Sequence, residues 1–200
     1  MLVRISILSK HPFDEVTPRL PGDDSDEQAR YLEAVVTGPD EAIRVASIYL
    51  PNGNPLGTDK FPYKLKWMER LIAHAQELLS YEEFLVLAGD YNVIPEEGDV
   101  YDPSKWLGDA LFQPETRALY RRLLNMGLIN CFDVFDGRDN QYTFWDYQAG
   151  AWPKNNGIRI DHLLTSPQAA DRLEKCWIDK DTRGWEKPSD HVPIIGEFSV

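Results

Sequence analysis

Phe84-Leu85-Val86-Leu87-Ala88 is a run of five apolar side chains with no polar break. It is too short for a buried helix, and its lack of alternation argues against a strand with one wet face. It therefore predicts a central strand covered on both sides, and so a layered α/β fold. The polar cluster Gly89-Asp90-Tyr91-Asn92 follows it directly.

The flanking chain supports layers. Arg30–Thr37 and Ile43–Leu50 read as an antiparallel hairpin turning at Pro39-Asp40. Lys64–Ser80 is the clearest helix, with Leu65, Met68, Leu71, Ile72, Ala75, Leu78 and Leu79 on one stripe. Glu115–Met126 is a second helix, closed by Gly127. Short strands are expected at Val3–Leu8, Ile129–Phe135, Thr143–Tyr147, Arg159–Leu164, Cys176–Asp179 and Val192–Phe198. A short helix is expected near Gln168–Leu173. Pro18–Asp26, Pro51–Pro62 and Pro95–Pro114 read as loops. No repeat or linker divides the 200 residues, so 1–200 is read as one domain.

Composition enters as a filter. The chain is 42% hydrophobic and 27% charged, which is globular. A net charge of −12 excludes a simple basic wrapper for nucleic acid, but leaves room for an acidic metal site with local cations. Cys131 and Cys176 are too few for a disulfide framework or a zinc site and read as buried thiols. No run of about 18 apolar residues is present, so no membrane span is expected. Met1-Leu2-Val3-Arg4 lacks signal-peptide architecture, which makes a cytoplasmic setting the default. His11 and His74 read as surface residues.

The chemistry gathers in polar clusters at strand ends. Asp90 and Asn92, two apart in an extended segment, would face one cleft and could orient a water and a phosphate; Gly-Asp-x-Asn is equally good turn chemistry. Asp161 sits in an apolar strand and needs a partner. A histidine fits, with His191 the candidate and His162 the alternative; an N-cap or an ion pair with Arg159 would also satisfy it. Asp190 and His191, stiffened by Pro188 and Pro193, could serve a divalent cation and a phosphate, or Ser189 and Asp190 could cap a turn. Tyr49 and Asn52 at a strand end could bind phosphate, or Tyr49 could simply finish a sheet. Phe144, Trp145, Tyr147 and Trp152 form an aromatic stretch beside Lys154, Asn155, Asn156 and Arg159. It could pack sugars or bases, or be ordinary core.

Ile7-Leu8-Ser9-Lys10, Tyr49-Leu50-Pro51-Asn52-Gly53, Gly89-Asp90-Tyr91-Asn92, Tyr142-Thr143-Phe144-Trp145-Asp146-Tyr147, Gly157-Ile158-Arg159-Ile160-Asp161 and Pro188-Ser189-Asp190-His191, in that order, resemble the exonuclease III family of DNA-repair nucleases, within the wider endonuclease/exonuclease/phosphatase superfamily. The resemblance implies a four-layer α/β/β/α sandwich and Mg²⁺- or Mn²⁺-dependent hydrolysis of double-stranded and abasic-site DNA. It assigns Asp90 to the attacking water, and Tyr49, Asn52 and Asn92 to the scissile phosphate. His191, held by Asp161, is assigned to charge on the phosphoryl oxygens. Asp90, Asn92 and Asp190 are assigned to metal. Phe144, Ile158 and Ile160 are assigned to a pocket for a base-free sugar, with Trp145 and Arg159 beside them on the substrate side. The family's first two strands, one carrying an Asn in a Trp-Asn-like motif and the other a metal-binding Glu in a Gln-Glu-like motif, have no counterpart here; Glu27-Gln28 is in reverse order. The resemblance thus implies a member lacking its N-terminal part, roughly a quarter of the usual domain, with weakened metal binding, and a monomer where the full domain is present. Two other functions are carried beside it: an impaired remnant that binds nucleic acid or a partner, and a superfamily phosphatase for small phosphoesters.

Overall fold

A computed structural model describes residues 5–38 and 41–199. Its main sheet has six strands in the order β1-β2-β3-β4-β6-β5. These are β1 (Glu15–Thr17), β2 (Tyr31–Thr37), β3 (Ala42–Tyr49), β4 (Phe84–Asp90), β5 (Ile129–Asn130) and β6 (Asp161–Thr165). A two-stranded ribbon, β7 (Leu173–Ile178) with β8 (Ile194–Phe198), forms a second sheet. Four helices are placed around them: α1 (Lys60–Leu79), α2 (Pro114–Asn125), α3 (Cys131–Phe135) and α4 (Pro167–Ala170). No helix among the described residues is long and apolar enough to cross a membrane.

β4 is the central strand that its apolar run predicts, parallel to β3 and antiparallel to β6. Its side chains split by parity. Leu85 and Leu87 join Ala46 and Ile48 of β3 under Trp67, Met68, Leu71 and Ile72 of α1. Phe84 and Val86 face the other way, with Leu163, Cys176, Ile194 and Phe198. Each fully buried leucine here contributes about 2 kcal/mol, so packing rather than helix propensity holds α1 in place. α1 starts at Lys60 rather than Lys64 because Pro62 falls in the first turn, where a missing N–H costs nothing. β2 and β3 pair as the expected hairpin; its turn at Pro39-Asp40 lies outside the described residues.

Three expected strands are corrected. Val3 and Arg4 lie outside the described residues, and residues 5–8 are irregular, with Leu8 95% exposed. β-rich sequence becomes strand only where a neighbour takes its backbone groups, and among the described residues this segment has none. Ile129–Phe135 is strand only to Asn130, whose side chain accepts from the Phe132 N–H (3.2 Å) and starts α3. Thr143–Tyr147 forms only single bridges, Phe144 to Ile158 and Phe144 to His191. The Thr143 hydroxyl accepts the Ile160 and Asp161 N–H groups (both 3.2 Å), which ends any longer ladder there. His74 is also not a surface residue. The Glu33 carboxylate is buried and needs partners; it takes Tyr31 Oη (2.5 Å), Arg44 Nη1 (2.7 Å) and His74 Nε2 (2.9 Å).

Gly89 is where β4 approaches β3 most closely. Its φ is +146°, and a Cβ there would lie 2.0 Å from the Ile48 carbonyl oxygen. Gly89→Ala is expected to destabilise the domain by about 3 kcal/mol, because both backbone and neighbour would have to move. Chemical denaturation measures this; an unchanged midpoint would contradict it.

Candidate active site

The parallel pairing of β3 with β4, and the antiparallel pairing of β6, bring three polar residues into one row at one end of the sheet. Asp90 is the register partner of both Tyr49 and Asp161. The loops leaving β3 and β4 add Asn52 and Asn92. The fourth component comes from the segment before β8: Trp145 N–H donates to the Asp190 carbonyl (2.9 Å) and Val192 N–H to the Thr143 carbonyl (2.8 Å). That anchorage sets His191 Nδ1 2.8 Å from Asp161 Oδ2. The Phe144 ring meets His191 edge-on, 4.9 Å between centroids.

These groups surround a cavity of about 330 Å³ lined by Tyr49, Asn52, Asp90, Asn92, Phe144, Ile158, Ile160 and His191. A larger hollow of about 620 Å³ lies between α1 and α2, beside Gln76 and Arg122; no carboxylate or histidine lines it. Convergent chemistry, not size, marks the site.

The turn and site alternatives for Gly89-Asp90-Tyr91-Asn92 both hold. Asn92 is not extended: its φ is +47°. The turn folds its N–H (2.8 Å) and Nδ2 (3.1 Å) back to the Asp90 carboxylate, as asparagine readily allows. A relay of amides continues outward. Asn52 Nδ2 donates to Asn92 Oδ1 (3.0 Å), Asn54 Nδ2 to Asn52 Oδ1 (3.0 Å), and Asn54 Nδ2 also reaches Asp109 Oδ1 (3.0 Å).

The electrostatics separate an acid from a base. Burial, then the neighbouring Asp161 charge, push the Asp90 carboxyl up to about 7, against the pull of His191 and Lys64. Burial works against the His191 cation, but the hydrogen bond and charge of Asp161, with Asp90 and Asp190 nearby, outweigh it and raise His191 to about 9. Two titratable groups with opposite preferred states face one cavity, as acid–base chemistry near neutral pH requires.

His191 is the partner of Asp161, and the alternatives fall away. His162 is fully buried between Tyr91 and Tyr120, with Nε2 3.2 Å from the Val93 carbonyl, and burial lowers its pKa to about 3. Arg159, expected on the substrate side, is buried elsewhere. Its guanidinium bridges Asp99 and Asp133 (2.6 Å each), because a buried cation is tolerated only when paired. Trp145, expected there too, is core: it is fully buried, packs 4.8 Å from Trp152, and donates Nε1–H to Asn155 Oδ1 (3.2 Å). Asp190 neighbours His191 but does not line the cavity.

Sequence reasoning missed Asn54, Trp106, Asp109, Leu111 and Asp146 in the lining. Asn54 continues the Asn52-Gly53 loop and could have been inferred from it. Trp106, Asp109 and Leu111 lie in an aperiodic loop that carries no such signal.

A divalent cation suits the cavity's charge. Asp90, Asp109 and Asp146 line it, with Asp161 behind, and a phosphodiester is itself anionic. The donor set is incomplete as a cage: among the described residues no three His, Cys, Asp or Glu side chains form a metal-holding group.

A carboxylate and a carboxylate-held histidine across one cavity, at the open end of an α/β sandwich, define a hydrolase. Residues 4–191 match the sequence profile of the Endonuclease/Exonuclease/phosphatase family, and the chain belongs to that family. It is 31% identical over 202 residues to exodeoxyribonuclease III of Haemophilus influenzae, covering 97% of this chain and 76% of that protein. It is similar in structure to the 3′ phosphatase NExo from Neisseria bound to a product DNA hairpin (TM-score 0.90, 33% identity, 96% of this chain and 73% of that one). An AP endonuclease from Archaeoglobus fulgidus is also similar (TM-score 0.87, 34% identity, 95% and 72%).

Proposed function

We propose that this chain is an exodeoxyribonuclease III-type phosphodiesterase that acts on double-stranded DNA, trimming 3′ ends and incising abasic sites in base excision repair. The observation that carries it is His191, which lines the same cavity as Asp90 and is held by Asp161 from behind at 2.8 Å. We read residues 1–200 as one domain, since the site draws on β3, β4 and β6 together with the segment before β8.

Asp90, with a pKa near 7, accepts the proton of the attacking water. His191, cationic at neutral pH, faces the charge developing on the phosphoryl oxygens. Tyr49, Asn52 and Asn92 hold the scissile phosphate between them. Phe144, Ile158 and Ile160 give the cavity an apolar wall that suits a sugar without its base. Asp90 and Asn92 would hold Mg²⁺ or Mn²⁺ at the cavity, with Asp190 next to His191 outside its lining, and the cation would supply Lewis-acid neutralisation of phosphoryl charge.

The test is incision of a duplex with one abasic site, and shortening of a recessed 3′ end, in Mg²⁺ and in EDTA. Neither activity from folded protein in Mg²⁺ would sink the proposal. The incomplete acidic set favours a second reading, a remnant that binds abasic duplex without turnover. Retained binding with no cleavage would select it.

A further inference from the structure

The apolar stripe of α1 is interrupted by a lysine. Lys64 is fully buried, and its Nζ donates to the backbone carbonyls of Asn92 (2.5 Å) and Asn52 (3.1 Å). It makes no ion pair among the described residues. A buried lysine whose only hydrogen-bond partners are two carbonyls, with the Asp90 and Asp109 charges nearby, is a costly element in a core that could have used leucine. The two carbonyls belong to the two residues whose side-chain amides line the cavity. Gly53 between the loops gives way to the lysine stem: a Cβ there would lie 2.7 Å from Lys64 Cδ.

We propose that Lys64 is a positioning residue, which clamps the peptides of Asn52 and Asn92 from below so that the Asn52 amide, held by Asn92 Oδ1, is preset for the scissile phosphate. The inference rests on the phosphodiesterase reading of the cavity. Lys64 touches no substrate; it acts through the two asparagines, and through the φ of +47° that Asn92 holds.

The experiment compares Lys64→Met, which fills the space without donors, with Lys64→Arg, which keeps them. In Lys64→Met, kcat on abasic duplex is expected to fall about 100-fold while KM changes less than about threefold, since misplacement costs the chemical step more than ground-state binding. The Asn52 and Asn92 side-chain amide resonances should shift in the same variant, with those of β2 unmoved. Lys64→Arg should recover most of kcat and both resonances. Parental kcat in Lys64→Met, unmoved Asn52 and Asn92 resonances, or an arginine variant no better than methionine would each overturn the clamp. If the parent cleaves nothing, the phosphodiesterase reading fails on its own, and the amide resonances of the two variants still decide whether Lys64 positions the asparagines.

Discussion

Asp90→Asn is expected to abolish cleavage and, in the same molecule, to make the fold more stable. The catalytic loss should be about 1,000-fold or more, because the variant keeps an acceptor for the Asn92 N–H but has no base. The stability gain follows from the raised pKa of Asp90. A carboxyl that titrates at 3.8 when unfolded and at about 7 when folded favours the folded state below pH 4 and loses that favour as pH rises to 7. Asparagine has nothing to ionise. The two proteins should match near pH 4 and diverge to on the order of a few kcal/mol at pH 8. Denaturation in EDTA across that range checks this, the chelator keeping cations from compensating the charge. Equal stability at pH 8 would mean that Asp90 is not strained by burial and by Asp161. Added Mg²⁺ should raise the parent's midpoint and leave that of the variant nearly unchanged.

Asp161→Asn should move the pH profile rather than only lower it. On the proposed mechanism cleavage needs Asp90 unprotonated and His191 protonated, and in the metal-free protein these titrate near about 7 and about 9. The carboxylate of Asp161 pushes both values up. Without it, His191 falls toward its ordinary range and Asp90 falls with it, so the whole bell shifts to lower pH. The rate at pH 8.5 should drop about 100-fold, and the rate at pH 6 much less. The decisive measurement is kcat against pH for parent and variant. An alkaline limb that stays near 9 would show that His191 is not the cationic group.

How much was legible beforehand depends on which forces act locally. β4 and α1 were legible because an unbroken apolar run and a helical stripe each have one reading, and tertiary contacts agree with it. The Asp90, Asp161 and His191 positions were legible because each is a polar break in an apolar strand or a stiffened turn. Trp145 and Arg159 were misplaced because composition cannot tell an aromatic or a cation facing a cavity from one facing the core. For Arg159 the answer lay in Asp99 and Asp133, far away in sequence and near only after folding. Lys64 was overlooked for the opposite reason: among charged helix residues nothing marks the one that turns inward. Thr143–Tyr147 had strand composition, but beyond the single bridges at Phe144 the Thr143 hydroxyl, not a neighbouring strand, takes the Ile160 and Asp161 N–H groups.

The contact between the β7–β8 ribbon and the main sheet is lined by both cysteines of the protein. Cys131 and Cys176 are buried there, and burial pushes their thiols up to about 11 and about 12, which makes both slow to react while the ribbon is docked. Modification of Cys131, which is fully buried, is therefore expected only when the ribbon lifts. β8 begins just beyond His191, so lifting of the ribbon is expected to strain the His191–Asp161 contact. The Cys131 labelling rate would then record how often the His191–Asp161 pair comes apart, readable without substrate or metal.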